Sequence, residues 1–149
     1  MFNTIVLALD GSEETDRLIN SVRELISHEH GRVVVVHVTE LFMGGGGGSV
    51  RVGEQMRLGR VREQADALTK SGLDVEVIHT STFRNPADPI ARVAANADAD
   101  LIVMGAPEHG SVVGALSGSA PRALLHRAPC PVLVVSPQAP VRRGERLAA

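Results

Sequence analysis

The segment Arg32–Val38, RVVVVHV, constrains the fold more than any other, because four consecutive valines after Gly31 leave no polar side for water. β-Branched residues crowd a helix and suit a pleated strand, and a strand apolar on both sides is one covered on both faces. That is the situation of a parallel sheet between helices. The preceding residues supply the rest of the unit. Thr4–Leu9 (TIVLAL) is a second buried strand, ending at the turn sequence Asp10-Gly11-Ser12 with Ser12 as helix N-cap. Leu18, Ile19, Val22, Leu25 and Ile26 then recur on one helical face, with Glu13 and Glu14 in the first turn and Gly31 as the stop.

The pattern repeats. Leu58, Val61, Ala65 and Leu68 mark a second helix ending near Lys70-Ser71-Gly72, and Leu73–Thr80 reads as a strand. Pro86–Ala97 is a third helix with Ile90, Val93, Ala94 and Ala97 inward, Leu101–Met104 a fourth strand, Pro121–Arg127 a short helix marked by Leu124 and Leu125, and Pro131–Val135 a fifth strand. This predicts one doubly wound α/β domain over residues 1–136, with residues 137–149, rich in Arg, Pro, Gly and Ala, as a disordered tail. In such a fold ligands sit beyond the carboxyl ends of the strands, where strand order reverses. Those ends are Asp10, Val38-Thr39 and Met104-Gly105.

Composition narrows the function. A net charge of −2 and a pI near 6.3 give no field to gather DNA or anionic lipid. Aromatics are 2% of the chain, with no Trp or Tyr, too few to stack bases. No basic leader precedes Ile5–Leu9, no apolar run approaches the roughly 18 residues of a spanning helix, and Cys130 has no second cysteine to pair with. The expectation is a cytoplasmic protein that engages neither nucleic acid nor membrane.

Lys70 is the chain's one lysine and closes a helix, so a phosphate-binding loop of the Gly-Lys-Ser/Thr type is absent, as is the G-x-S-x-G elbow of a hydrolase. Cys130, between Pro129 and Pro131, reads as packing. His28 and His30 around Glu29 read as solvated loop and His37 as a hydrogen-bonded core histidine, while His79 and His126 give no signal. With no catalytic base identified, an enzyme is not expected. The segment Met104–Ser119 (MGAPEHGSVVGALSGS) differs in kind: it follows a strand, carries Gly105, Gly110, Gly114 and Gly118, and leads into a helix. Its amides either cradle an anion at that helix N-terminus or form a plain linker.

Taken together, Asp10-Gly11-Ser12, His37-Val38, Asn85-Pro86…Ile90, Ala99-Asp100-Leu101-Ile102-Val103-Met104-Gly105, Gly118-Ser119 and His126-Arg127-Ala128-Pro129-Cys130-Pro131-Val132-Leu133-Val134-Val135 resemble the universal stress protein family, from Phe2 to Ser136. The resemblance implies a five-stranded parallel sheet of order 3-2-1-4-5, of the adenine-nucleotide α-hydrolase-like kind, homodimers and a role in stress response. In one branch it implies ATP or AMP bound with little or no turnover.

That branch carries G-x-x-G-x9-G-[ST], which falls here on Gly105, Glu108 and Gly118-Ser119. The implied nucleotide contacts are Ala8, Asp10 at the ribose, the Val38 backbone at the adenine, Met104, Gly105, Glu108, Gly118 and Ser119. Two residues depart from the pattern. Glu108 replaces the middle glycine, and Pro121 stands where the family often has a hydroxyl. Two like charges at ~4 Å repel by roughly 1 kcal/mol in water and about 4 kcal/mol at an effective dielectric of 20. A Mg²⁺ ion or a protonated His109 would offset Glu108. Two further segments are open to either reading: Gly44–Gly48 with Ser49 as lid or simple connection, and Arg84 as anion partner or solvated arginine. The resemblance also implies that Val132, Leu133, Val134 and Val135 form a sheet edge that pairs antiparallel with a second copy. Three functional readings follow: a nucleotide-holding regulatory dimer, a dimeric interaction protein whose phosphate site Glu108 and Pro121 close, and, weakest, a slow ATP hydrolase.

Overall fold

The computed structural model describes residues 1–12, 16–41, 53–106 and 119–136. Along the chain lie β1 (Thr4–Ala8), α1 (Asp16–Leu25), β2 (Arg32–Glu40), α2 (Glu54–Lys70), β3 (Asp74–Thr82), α3 (Ala87–Asn96), β4 (Leu101–Gly105), α4 (Ser119–Arg127) and β5 (Val132–Val135). The strands form one parallel sheet of order β3-β2-β1-β4-β5, the order the family resemblance implies.

Strand alternation sorts the core into two layers. Ile5, Leu7, Val33, Val35, Leu101 and Val103 face α1 and α2, meeting Leu18, Ile19, Val22, Val61, Ala65 and Leu68. Val6, Val34, Val36, Ile102 and Met104 face α3 and α4, meeting Ala87, Ile90, Ala94 and Leu124. The valine run is therefore buried on both sides, with Val33 to Val36 between 0% and 1% exposed.

Element boundaries differ from the sequence reading in two informative places. β2 and β3 each run two residues past the expected Val38 and Thr80, because Thr39↔Ser81 and Glu40↔Thr82 continue the ladder. A polar side chain on an outer strand end leaves the backbone free to pair, so polarity alone does not end a strand. α4 starts at Ser119 rather than Pro121. Proline is tolerated in a first helical turn, where its missing N–H would have had no partner within the helix. Leu124 is fully buried, but Leu125 is 65% exposed, so a single leucine of the pair seats this helix.

Two local features hold the sheet ends. At the amino end, Asp100 Oδ2 accepts from the Asn3 and Thr4 amides at 2.9 and 2.8 Å, joining the entry of β4 to that of β1. At the carboxyl end, Gly11 has φ +76°, and a Cβ there would lie 2.6 Å from Arg57 Cβ on α2. The turn after β1 is thus closed by helix contact as well as by conformation, and a side chain at position 11 has no room. The N-cap reading of Ser12 involves residues 13–15, and it lies outside the described residues, as do Gly44–Gly48, Ser49 and the segment 137–149.

Candidate functional site at the strand carboxyl ends

Ala8 is paired with Val36 on one side and with Met104 on the other. The chain passes from β1 to β2 in one direction and later returns to β4 in the opposite one, so the reversal of strand order falls between β1 and β4. This is where a doubly wound sheet opens a crevice for ligands. The register brings Ala8, Asp10, Val38, Met104 and Gly105 to that crevice. Ala8, Val38 and Met104 turn their side chains to the α3/α4 layer. Asp10 is exposed, and its Oδ1 accepts from the Ser12 amide at 2.9 Å, which shapes the turn and presents the carboxylate outward. Gly105 has Leu18 Cδ1 3.5 Å from where a Cβ would stand, an ordinary contact. Packing does not demand glycine there; what glycine provides is an uncovered backbone at the strand end.

Ser119 opens α4, the helix that follows β4. Pro121 is the third residue of that helix and withholds one of its first amide donors. Glu108 and Gly118, with the glycine segment between them, lie outside the described residues. Val132, Leu133, Val134 and Val135 form β5 at one edge of the sheet.

Several residues weighed for chemistry occupy structural or solvent positions. Lys70 is exposed at the end of α2, and His28, Glu29 and His30 form an exposed turn. Cys130 is half-buried against the α3/α4 core, and burial, with the Asp100 charge, pushes its thiol up and away from the reactive form. Arg84 is exposed, with its backbone N–H donated to Thr82 Oγ1. A groove of about 470 Å³, lined in part by Ile19, Asn20, Arg23 and Glu63, lies between α1 and α2 rather than at the strand ends.

On the opposite side of the same strand end is a polar cluster whose members the sequence does not connect. His37 Nδ1 donates to the Leu9 carbonyl at 2.7 Å, and Nε2 faces Glu54 Oε1 at 2.7 Å. Thr39 donates its hydroxyl proton to the same Glu54 oxygen at 2.5 Å and stands 2.8 Å from His79 Nε2. His37 is 3% and Glu54 6% exposed. Burial alone would raise the Glu54 carboxyl, but hydrogen bonds from Thr39 and His37, with the charges of His37 and Arg57, hold it below its ordinary value. His37 is thus a hydrogen-bonded core histidine, as its place among the valines indicates. Through Leu9 it also fixes the turn that carries Asp10. A signal for His79 existed in the sequence: aligning VVVVH with VEVIH places the two histidines opposite each other, and they are register partners. Glu54 had no such signal, since it begins α2 outside the helix's apolar repeat.

The universal stress protein family model matches residues 1–136. A Thermus aquaticus protein described as "Universal stress protein in QAH/OAS sulfhydrylase 3'region" is 36% identical over 140 residues, 91% of this chain and 99% of that one. Among solved structures, a universal stress protein in complex with cAMP superposes with a TM-score of 0.65 at 22% identity, covering 91% of this chain and 98% of that one. The Archaeoglobus fulgidus universal stress protein in complex with dAMP gives 0.61 at 22% identity over 89% and 96%. A family member from Burkholderia pseudomallei gives 0.66 at 26% identity over 89% and 95%. With the sheet order and these matches in agreement, the chain belongs to the universal stress protein family.

Proposed function

We propose that this protein is a cytoplasmic regulatory dimer of the stress response that holds an adenine nucleotide at the carboxyl ends of β1, β2 and β4 and does not turn it over. The observation that carries the reading is the register of Ala8 between Val36 and Met104, which lines up Asp10, Val38 and Gly105 along one crevice. The cAMP and dAMP complexes of structural relatives support it. In this reading Asp10 engages the ribose, the Val38 backbone meets the adenine, and the amides from Gly105 to the start of α4 at Ser119 receive phosphate. This reading assigns no general base and no phosphate-polarising cation to the crevice, and the nucleotide is held rather than cleaved.

Glu108 and Pro121 favour nucleotides of low charge. In the family pattern Glu108 takes the place of the middle glycine of the phosphate loop, where a carboxylate repels a triphosphate more than a monophosphate, and Pro121 removes a donor. AMP and cyclic AMP are therefore the preferred ligands, and ATP binding requires Mg²⁺ to screen Glu108. The same two residues support a second reading, a dimeric interaction protein with its phosphate site closed.

Thermal denaturation with AMP, cyclic AMP and ATP separates the two. A ligand at 100 times its dissociation constant stabilises by about 2.7 kcal/mol. Stabilisation of the wild type by a monophosphate, with ATP gaining on Glu108→Gly, supports the nucleotide-holding reading. A response to nucleotide in Glu108→Gly alone supports the closed-site reading. No response in either protein at millimolar nucleotide overturns the nucleotide-holding reading, and phosphate release above the buffer rate overturns the absence of turnover.

A further inference from the structure

We propose that His37, Glu54 and His79 form a binding site for a divalent transition metal of the zinc class, separate from the nucleotide crevice and built on the other face of the same strand end. His37 Nε2, a Glu54 carboxylate oxygen and a His79 ring nitrogen all lie within 4.8 Å of one another. Two imidazoles and one carboxylate are a donor set suited to zinc, which takes nitrogen at about 2.0–2.1 Å and oxygen at about 2.0–2.2 Å in tetrahedral geometry. The donor atoms of such a site stand about 3.3 Å apart. His37 Nε2 and Glu54 Oε1 at 2.7 Å need to open slightly, and exposed His79 needs to swing inward. Both movements are side-chain rotations.

The surroundings are organised as a metal site requires. The Leu9 carbonyl can only accept, so Nδ1 of His37 carries its proton and Nε2 is the nitrogen directed at the cluster. A fixed outer hydrogen bond of this kind sets the tautomer of metal-binding histidines. Nε2 and the Glu54 carboxylate face each other across 2.7 Å in a buried place, so one ion can be held by both. Thr39, whose hydroxyl donates to that same Glu54 oxygen and stands 2.8 Å from His79 Nε2, lies within the cluster and turns aside as the ion enters. The His37 and His79 rings are stacked with centroids 5.6 Å apart, so both approach one volume from neighbouring strands. Exposure of His79 supplies the entry path, and water completes the coordination. The ion would tie β2, β3 and the first turn of α2 together directly behind Val38.

The test is zinc titration of EDTA-dialysed protein by calorimetry, followed by cobalt(II) absorption for the tetrahedral signature. His79→Gln removes an exposed ligand and spares the buried pair, and circular dichroism without metal checks that its fold is intact. A double variant, His28→Gln with His30→Gln, controls for the exposed histidine turn. One zinc per chain, weakened at least tenfold by His79→Gln and unchanged by the double variant, is the expected result. Absence of stoichiometric zinc binding, or affinity in His79→Gln within tenfold of wild type, overturns the proposal. Because the readout is metal alone, failure here leaves the nucleotide reading standing, and the reverse also holds.

Discussion

A carboxylate only 6% exposed, as Glu54 is, would ordinarily be driven towards its neutral form by loss of water. Here Thr39 and His37 donate to one of its oxygens and reverse that tendency, so the folded protein lowers the Glu54 pKa. The sign of the linkage follows. A depressed carboxyl pKa stabilises the fold above its unfolded value and loses that contribution as pH falls through the folded value. In EDTA-treated protein, Glu54→Gln should lower the unfolding free energy at neutral pH by about 1.5–3 kcal/mol, the worth of hydrogen bonds to a charged group. Urea denaturation series should show the gap closing as pH falls below about 4.3, the ordinary glutamate value. A gap that stays constant into that acid range would assign the loss to packing. At this scale the sequence reveals His37, since one polar residue in a valine strand must have partners. It conceals Glu54, because nothing local says which distant side chain meets it.

α4 depends on a single apolar contact where the sequence offers two. Leu124 is fully buried among Val6, Val36, Ile90 and Met104, whereas adjacent Leu125 faces solvent. Successive helical residues stand about 100° apart, and α4 is turned so that Leu124 meets the sheet and Leu125 the solvent, whereas adjacent Leu18 and Ile19 of α1 are both buried. The Arg127–Asp88 ion pair joins α4 to α3, but both partners are substantially exposed and such pairs contribute little. Leu124→Ala should therefore cost about 2–5 kcal/mol. Leu125→Ala should stay within about 0.5 kcal/mol of wild type. Guanidinium denaturation checks both, and equal effects would mean that α4 is seated differently. Strands and helices were legible as elements because buried runs such as Val33–Val36 and faces such as Val61–Ala65–Leu68 need no partner to be recognised. The starts of α2 and α4 were not, since capping and first-turn residues carry no apolar period.

For the molecule as a whole, β5 is the edge where association is expected. Its inner side pairs with β4 from Ile102↔Val132 to Gly105↔Val135, and its outer side has no strand partner among the described residues. An apolar edge left open is a template for unwanted pairing. Val134 is 37% exposed on this edge, and Leu125, 65% exposed, belongs to the helix that contacts β5. Both would be covered if β5 met its own copy antiparallel about a two-fold axis, the arrangement in which one patch serves both chains. Val134→Lys places a charge on the proposed contact while leaving the fully buried core untouched, so the variant should run as a single chain of 15.7 kDa and the wild type at twice that mass. Val77→Lys on β3, at the opposite edge and 43% exposed, is the matched control and should leave the mass unchanged. Light scattering at micromolar concentration reads both. A Val134→Lys protein that keeps the doubled mass would remove β5 from the interface, and loss of the dimer in Val77→Lys would move the interface to β3.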